Sequence, residues 1–260
     1  WGSGDLVCNN CMKLLHYQKV AGGKIMNNKK VLVIIPAYNE ELSIKKVINE
    51  IKKKNEWVDV LVVNDGSSDK TSEFAKSLNN STVVLDLPYN LGIGGAVQTG
   101  YLYAYNNNYD IAIQIDADGQ HDPKYIKEMV ESLINQKCDM VIGSRFVNNT
   151  SYKQTLMRAI GNKMLSFIIK LFTGRKIYDT TSGYRVVNKD VVKMFAHSYP
   201  YDYPEPDTNL QLILNKKKIL EVPVEMRKRT TGKSFVSPLK SVQYMTKVIL
   251  ALFIARIRKN

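Results

Sequence analysis

Between residues 31 and 143 the chain alternates short apolar, β-branched runs with helical patterns, and this alternation constrains the fold more than any other feature. Val31 to Ile35, Val58 to Val63, Val83 to Leu87, Ile111 to Ile115 and Met140 to Gly143 read as strands. The stretches between them carry the spacing of helices: Ile44, Val47, Ile48 and Ile51, then Ser72 to Leu78, Ile93 to Tyr105 and Pro123 to Asn135. Nearly continuous apolar strands joined by helices demand a mainly parallel sheet covered on both faces, because each strand must bury both of its sides.

In such sheets ligands bind beyond the carboxyl ends of the strands. Three polar clusters fall at those ends: Pro36-Ala37-Tyr38-Asn39-Glu40, Asn64 to Asp69, and Asp116-Ala117-Asp118-Gly119-Gln120. All three are expected to converge on one crevice. Residues i and i+2 of a strand project to the same side, so Asp116 and Asp118 can share a face where their strand stops. Two carboxylates so close repel unless a cation lies between them, and a hard divalent ion, Mg²⁺ or Mn²⁺, suits an all-oxygen site that also meets a diphosphate. Gln120 and His121 lie near enough to support it. The plainer alternative for such an Asp pair is an Asx turn after a strand.

Asp65, followed by Gly66 and two serines, can accept from a base or a ribose. Asn90 to Ala96, with Gly92, Gly94 and Gly95, has the look of a phosphate-cradling turn, although its spacing is not that of a dinucleotide fingerprint and no P-loop lysine follows. Glycines admitting close helix-to-sheet packing explain it equally well.

Thirty-seven Lys and Arg against twenty-four Asp and Glu give a net charge of +13, which favours a polyanionic partner. No helix-turn-helix, RNP or zinc-finger pattern accompanies that charge, so nucleic acid is not the expected partner. Cys8, Cys11 and Cys138 are too few for a disulfide framework, and Cys8 with Cys11 lacks the second ligand pair that a zinc site needs, with His16 its only neighbour. No stretch reaches the ~20 apolar residues that span a bilayer. A cytosolic location is expected. Residues 1–25 lack a sustained apolar period and read as a tail or remnant ahead of Met26. Residues 26–236 form the main domain and 237–260 an amphipathic C-terminal helix.

Together with Gly143-Ser144-Arg145 and Thr181-Ser182-Gly183-Tyr184-Arg185, the three clusters stand in the order seen in family 2 glycosyltransferases. Over roughly Val31 to Leu252 the chain resembles the polyprenyl-phosphate branch of that family, which contains the dolichyl-phosphate mannose and glucose synthases. The resemblance implies a GT-A fold, Rossmann-like, and inverting transfer from a nucleotide diphosphate sugar. It implies Pro36, Ala37, Tyr38, Glu40, Asp65, Gly95, Asp116, Ala117 and Asp118 around the donor, and Asp116, Asp118 and Gln120 around the ion. It further implies that Arg145 and Arg158 hold the acceptor phosphate, and that Arg229 and Lys233 of the basic run Arg227 to Ser234 close over the diphosphate. Arginine suits this work because its planar fork takes phosphate oxygens in pairs. Asn162 stands where relatives often carry Ser. Asp207, next to Glu205 and Pro206, stands where many members place a general base. An ionised phosphate acceptor attacks without one, whereas a saccharide hydroxyl needs it.

Leu156, Ile160, Met164, Leu165, Ile168, Leu171 and Phe172 recur at helical spacing among Arg158, Lys163, Lys170 and Arg175, and Val242 to Ile257 repeats the pattern. Basic amphipathic helices too short to span read as interfacial, drawn to an anionic membrane surface, unless their apolar stripe simply faces the core. The resemblance adds a small integral membrane protein, or a second copy of the chain, as partner. It favours a UDP sugar as donor and undecaprenyl phosphate as acceptor, for cell-surface polysaccharide. Transfer to a saccharide hydroxyl is the alternative.

Overall fold

The computed structural model describes residues 29–78, 82–147, 156–227, 247–250 and 252–254. Residues 1–25, Arg229, Lys233 and most of 237–260 lie outside the described residues, as does the side chain of Arg158. The elements run β1 (Val31–Ala37), α1 (Ile44–Lys54), β2 (Asp59–Asn64), α2 (Thr71–Lys76), β3 (Thr82–Asp86), α3 (Gly92–Asn106), β4 (Ile111–Gln114), α4 (Ile126–Asn135, entered through a 3₁₀ turn), β5 (Met140–Ser144), α5 (Leu156–Thr173), β6 (Arg185–Asn188), α6 (Lys189–His197), α7 (Pro204–Leu214) and β7 (Ile219–Pro223).

The strands form one seven-stranded sheet in the order β3-β2-β1-β4-β6-β5-β7. Every pair is parallel except those of β6, which runs antiparallel to both β4 and β5. The expected mainly parallel α/β sheet is what forms. Beyond Gly143 the strands carry little apolar signal. β6 is four residues long and begins with an arginine, and β7 is an edge strand with half-buried positions. Neither has the long apolar run that marks β1 and β2.

All seven residues of β1 are buried, and its side chains alternate between two cores. Leu32 and Ile34 enter the core shared with α3, α5 and α6, while Val31, Val33 and Ile35 enter the one shared with α1 and α4. Helix α1 turns Ile44, Val47, Ile48 and Ile51 inward and leaves its lysines outside, as its spacing requires. Pro36 is tolerated within β1 because the ladder to β4 has ended two residues earlier, at Ile34 opposite Gln114.

Helix α5 serves two purposes at once. Leu165 and Ile169 are buried in the core, joined by Val248 and Leu252 of the C-terminal segment, and Phe253 packs edge-on against Phe172 with ring centres 4.9 Å apart. Ile160, Phe167 and Leu171 nevertheless stand 53%, 65% and 68% exposed, so a second apolar stripe faces outward.

Helix α3 approaches the sheet closely at Gly100, where a Cβ would lie 2.3 Å from Cγ2 of Ile34. Replacing Gly100 with Ala should cost about 1–3 kcal/mol through overpacking. The expected readout is a lower urea midpoint at unchanged slope, partly restored when Ile34→Ala is combined with it; additive losses would show that the contact is not the cause.

Candidate active site

Strand order reverses at β1, whose connection to β2 leads one way across the sheet while β4 lies on its other side. That reversal opens a crevice beyond the carboxyl ends of β1 and β4. The backbone N–H of Ile115 still donates to the carbonyl of Ile34 at 3.0 Å, and the chain then leaves the sheet at Asp116.

The acidic loop is held from below. The backbone N–H of Asp116 donates to Nδ1 of His121 at 3.1 Å, which places the ring proton on Nε2. Nε2 lies 3.6 Å from Oδ2 of Asp116. The His121 ring is buried and stacked on Tyr184, centres 4.9 Å apart and 16° from parallel. His121 therefore orients Asp116 from behind. Asp118 accepts from the backbone N–H of Gln120 at 3.0 Å and from its Nε2 at 2.7 Å. The first bond is an Asx turn, closed by Gly119 at φ +76°, so the plainer expectation for this Asp pair is also met. Gln120 meets Asp118 as a hydrogen-bond donor that fixes its carboxylate.

Among the described residues no three His, Cys, Asp or Glu side chains group as metal ligands. Asp116 and Asp118 offer carboxylate oxygens, the donor type that Mg²⁺ or Mn²⁺ takes.

The remaining clusters interlock beside the acids. Tyr38 is exposed at the rim. The backbone N–H of Asn39 donates to Ser67, and the N–H of Ser68 donates back to Asn39 Oδ1, at 3.0 and 2.9 Å. Glu40 is tied through its N–H to Thr71 and through its carboxylate to Ser43. Asp65 is buried and accepts from the N–H of Leu91 at 2.7 Å. Burial pushes its carboxyl above the usual carboxylate range, against the hydrogen bonds from the N–H groups of Leu91 and Gly92. Asp65 thereby anchors the glycine-rich turn. Gly95 is buried in that turn, where a Cβ would meet the Cβ of Leu91 at 2.5 Å, so close packing explains it.

The floor of the crevice comes from elements that sequence patterning left unread. A Cβ on Gly183 would lie 3.1 and 3.3 Å from the two carboxylate oxygens of Asp116 and 3.3 Å from Nε2 of Gln114. Gly183 is what leaves room beside Asp116. Gln114 is buried and its Nε2 has no partner, while Tyr199 donates to its Oε1 at 3.5 Å. Arg185 is fully buried and donates to the carbonyls of Ser182 and Glu205 and to the hydroxyl of Thr208. Desolvation raises the half-buried Glu205 carboxyl above its ordinary value; Arg185 opposes the shift and the charge of Asp116 adds to it. Asp207, in the first turn of α7, accepts from Gln211.

Arg145 follows β5, and its guanidinium is engaged by a buried carboxylate. Nε and Nη2 donate to Asp179 at 2.7 and 2.6 Å, and Nη2 also reaches Thr181 at 2.9 Å. Asn162 of α5 closes the same region, donating to the Tyr178 carbonyl and accepting from the N–H and hydroxyl of Thr180. Asp179 carried no sequence signal beyond its place two residues before the Thr-Ser-Gly motif. Arg227 straps the chain beyond β7 to the acidic loop: its N–H donates to the Gln120 carbonyl at 2.9 Å, and its guanidinium pairs with Asp122 and Glu50.

Compared with known proteins, residues 32–195 match the model of glycosyl transferase family 2. The chain is 35% identical over 218 residues to the UDP-N-acetylglucosamine–dolichyl-phosphate N-acetylglucosaminyltransferase of Methanococcus voltae, covering 77% of this chain and 86% of that one. It is 30% identical over 219 residues to the undecaprenyl-phosphate mannosyltransferase of Micrococcus luteus, covering 80% and 88%. Among solved structures it superposes on glucosyl-3-phosphoglycerate synthase from Mycobacterium tuberculosis, in complex with Mn²⁺, UDP and glucosyl-3-phosphoglycerate, with a TM-score of 0.64 at 20% identity, covering 88% and 80%. That likeness speaks for the GT-A fold.

Two outcomes follow from the buried charges. Arg145→Met strands the Asp179 carboxylate, which has no exposure, and should cost about 3–5 kcal/mol of stability, measured by denaturant titration. A Glu whose folded pKa is raised loses stability as pH climbs above its ordinary 4.5. The stability of Glu205→Gln relative to the native chain should therefore increase with pH from that point; a flat difference would show Glu205 unshifted.

Proposed function

The chain belongs to glycosyl transferase family 2, and on that premise we propose that it moves a single hexose or N-acetylhexosamine from a nucleotide diphosphate sugar to polyprenyl phosphate. The observation that carries this reading is that Asp116 leaves the sheet at the strand-order reversal, with Gly183 clearing space beside its carboxylate and Asp118 following two residues on. A bound Mg²⁺ or Mn²⁺ would supply neutralisation of the charge that develops on the departing nucleotide diphosphate.

The residues of the chain do the rest. Asp116 and Asp118 hold the ion, oriented by His121 and Gln120. Pro36, Ala37, Tyr38, Glu40 and Asp65 frame the nucleoside. Arg145 and Arg158 receive the acceptor phosphate; a phosphate at Arg145 shares the guanidinium with Asp179, which also keeps that guanidinium aimed. Arg229 and Lys233 close over the diphosphate. UDP-glucose or UDP-N-acetylglucosamine is the favoured donor, supported by the UDP-sugar enzyme among the relatives. An acceptor phosphate already ionised at neutral pH needs no base from Glu205 or Asp207.

No helix among the described residues is long and apolar enough to cross a membrane. The outward stripe of Ile160, Met164, Phe167 and Leu171 with Lys163 and Lys170 supports peripheral attachment to the inner face of the plasma membrane. Residues 237–260 then contact the membrane, a small integral membrane protein, or a second copy of the chain.

The test is a donor screen with undecaprenyl phosphate, with and without Mn²⁺, reading release of nucleotide diphosphate. Release should require the divalent ion, and Asp116→Asn or Asp118→Asn should lower kcat/KM by about a hundredfold or more, the scale of losing one electrostatic stabiliser of a developing charge. Undiminished turnover with Ala at both positions would end the reading. Glu205→Gln and Asp207→Asn should change the rate by less than about tenfold; a loss of 10² or more would instead indicate a saccharide hydroxyl acceptor and a base-assisted transfer.

A further inference from the structure

Strand β4 and the residue after it hold one side chain out of keeping with the rest. Ile111, Ala112, Ile113 and Ile115 are apolar and buried, and Gln114 among them is buried just as deeply, at 1% exposure. Its Oε1 accepts from the Tyr199 hydroxyl across 3.5 Å, a long and weak bond. Its Nε2 has no partner among the described residues. A buried amide donor left unmatched costs the fold free energy that an apolar side chain of the same size would not. Native chains keep few such groups, and a break with local consistency of this kind marks places kept for function.

The surroundings of the amide point to what it serves. Residues two apart in a strand project to one side, so Gln114 and Asp116 share a face as the chain leaves the sheet. Both border the place where Gly183 has no side chain: a Cβ there would lie 3.3 Å from Nε2 of Gln114 and 3.1 and 3.3 Å from the two carboxylate oxygens of Asp116. Any other residue at 183 would wedge a carbon against both groups. Charge fixes which end of the amide faces that way. The Tyr199 hydroxyl can donate or accept and suits either end, whereas a carboxylate only accepts and would repel Oε1.

We propose that Gln114 is a positioning residue for the ion site: when a divalent ion and the nucleotide diphosphate are bound, its Nε2 donates to the carboxylate of Asp116, which Nε2 of His121 already approaches at 3.6 Å. The inference rests on the reading of Asp116 as an ion ligand given above. A carboxylate that holds an ion is itself held by hydrogen bonds from behind, and loss of one such partner weakens metal binding about 10- to 100-fold. The donor that is unmatched in the free chain is matched in the loaded one, so the cost of burying it favours the loaded state.

The test follows UDP binding to the full chain by calorimetry as Mn²⁺ is raised, with GDP in its place if the donor screen selects a GDP sugar. Gln114→Met keeps the bulk of the side chain and removes the amide. It should raise the Mn²⁺ concentration for half-maximal binding about 10- to 100-fold. Binding in EDTA should stay at its native level, and the thermal midpoint of the free chain should be no lower. A merely structural amide would give a different result, a lower midpoint and equal losses with and without the ion, and this would overturn the proposal. Tyr199→Phe should raise the Mn²⁺ requirement less than Gln114→Met does; an equal or larger rise would mean that the amide serves Tyr199, and would overturn it too. Asp116→Asn separates the underlying reading, since it should abolish the Mn²⁺ dependence. If it does so while Gln114→Met leaves the requirement unchanged, the role of Gln114 falls and the ion site stands. If the dependence survives Asp116→Asn, the ion site itself fails, and the proposal with it.

Discussion

The parallel ladder between β1 and β4 is the constraint on which the rest depends. It carries four residue pairs, from Val31 opposite Ile111 to Ile34 opposite Gln114, and then stops while β1 continues alongside β2. Because the two strands part at different heights, the chain after β4 is released beside a strand still fixed in the sheet. A buried parallel pair has no freedom to slip, since a shift by one residue would send Leu32 and Ile34 to the opposite core. Asp116 and Asp118 therefore emerge at a height set by hydrogen bonds inside the sheet.

Around this point the protein spends charge in its interior. Arg185 is wholly enclosed with carbonyl and hydroxyl partners. Asp179 is enclosed with a forked guanidinium. Asp122 lies below the usual carboxylate range: burial alone would raise it, but Lys54, the Lys124 N–H and Arg227 outweigh that. Such groups are costly to bury and worse to leave unpaired. Each of them fixes a piece of chain that borders the crevice: Arg185 the start of α7, Asp179 the loop after β5, Asp122 the strap at Arg227. Their common effect is to tie down the chain on several sides of the crevice.

The front half of the molecule was legible in the sequence because its strands are long, apolar and β-branched, and its polar clusters sit at their ends. Strands and helices up to Gly143 fall within three residues of where the pattern puts them. The back half was not, for physical reasons that differ by element. β6 begins with Arg185, whose burial is made tolerable by partners from Ser182, Glu205 and Thr208 that no local window contains. Helix α7 starts from Tyr203 in the left-handed region and reads Pro-Glu-Pro-Asp, a loop by composition. Gln114 gave no signal at all, being one polar residue at the end of an apolar strand. His121 was visible as a neighbour of the acids, but its position behind Asp116 depends on Tyr184, more than sixty residues away. The Arg145–Asp179 pair likewise spans 34 residues.

One strand of the sheet runs against the others, and this has a consequence for how such a molecule can diversify. Because β6 is reversed between β4 and β5, the chain reaches the crevice while entering that strand, through Ser182 and Gly183, and not on leaving it. The stretch from Arg145 to Thr181, with α5 inside it, is thus a detour that departs from the rim of the crevice and returns to the same rim. Its length and surface chemistry can be rewritten without altering the height at which Asp116 emerges. On the proposed assignment of Arg145 to the acceptor, recognition of whatever receives the sugar is in this way free to evolve apart from recognition of what delivers it.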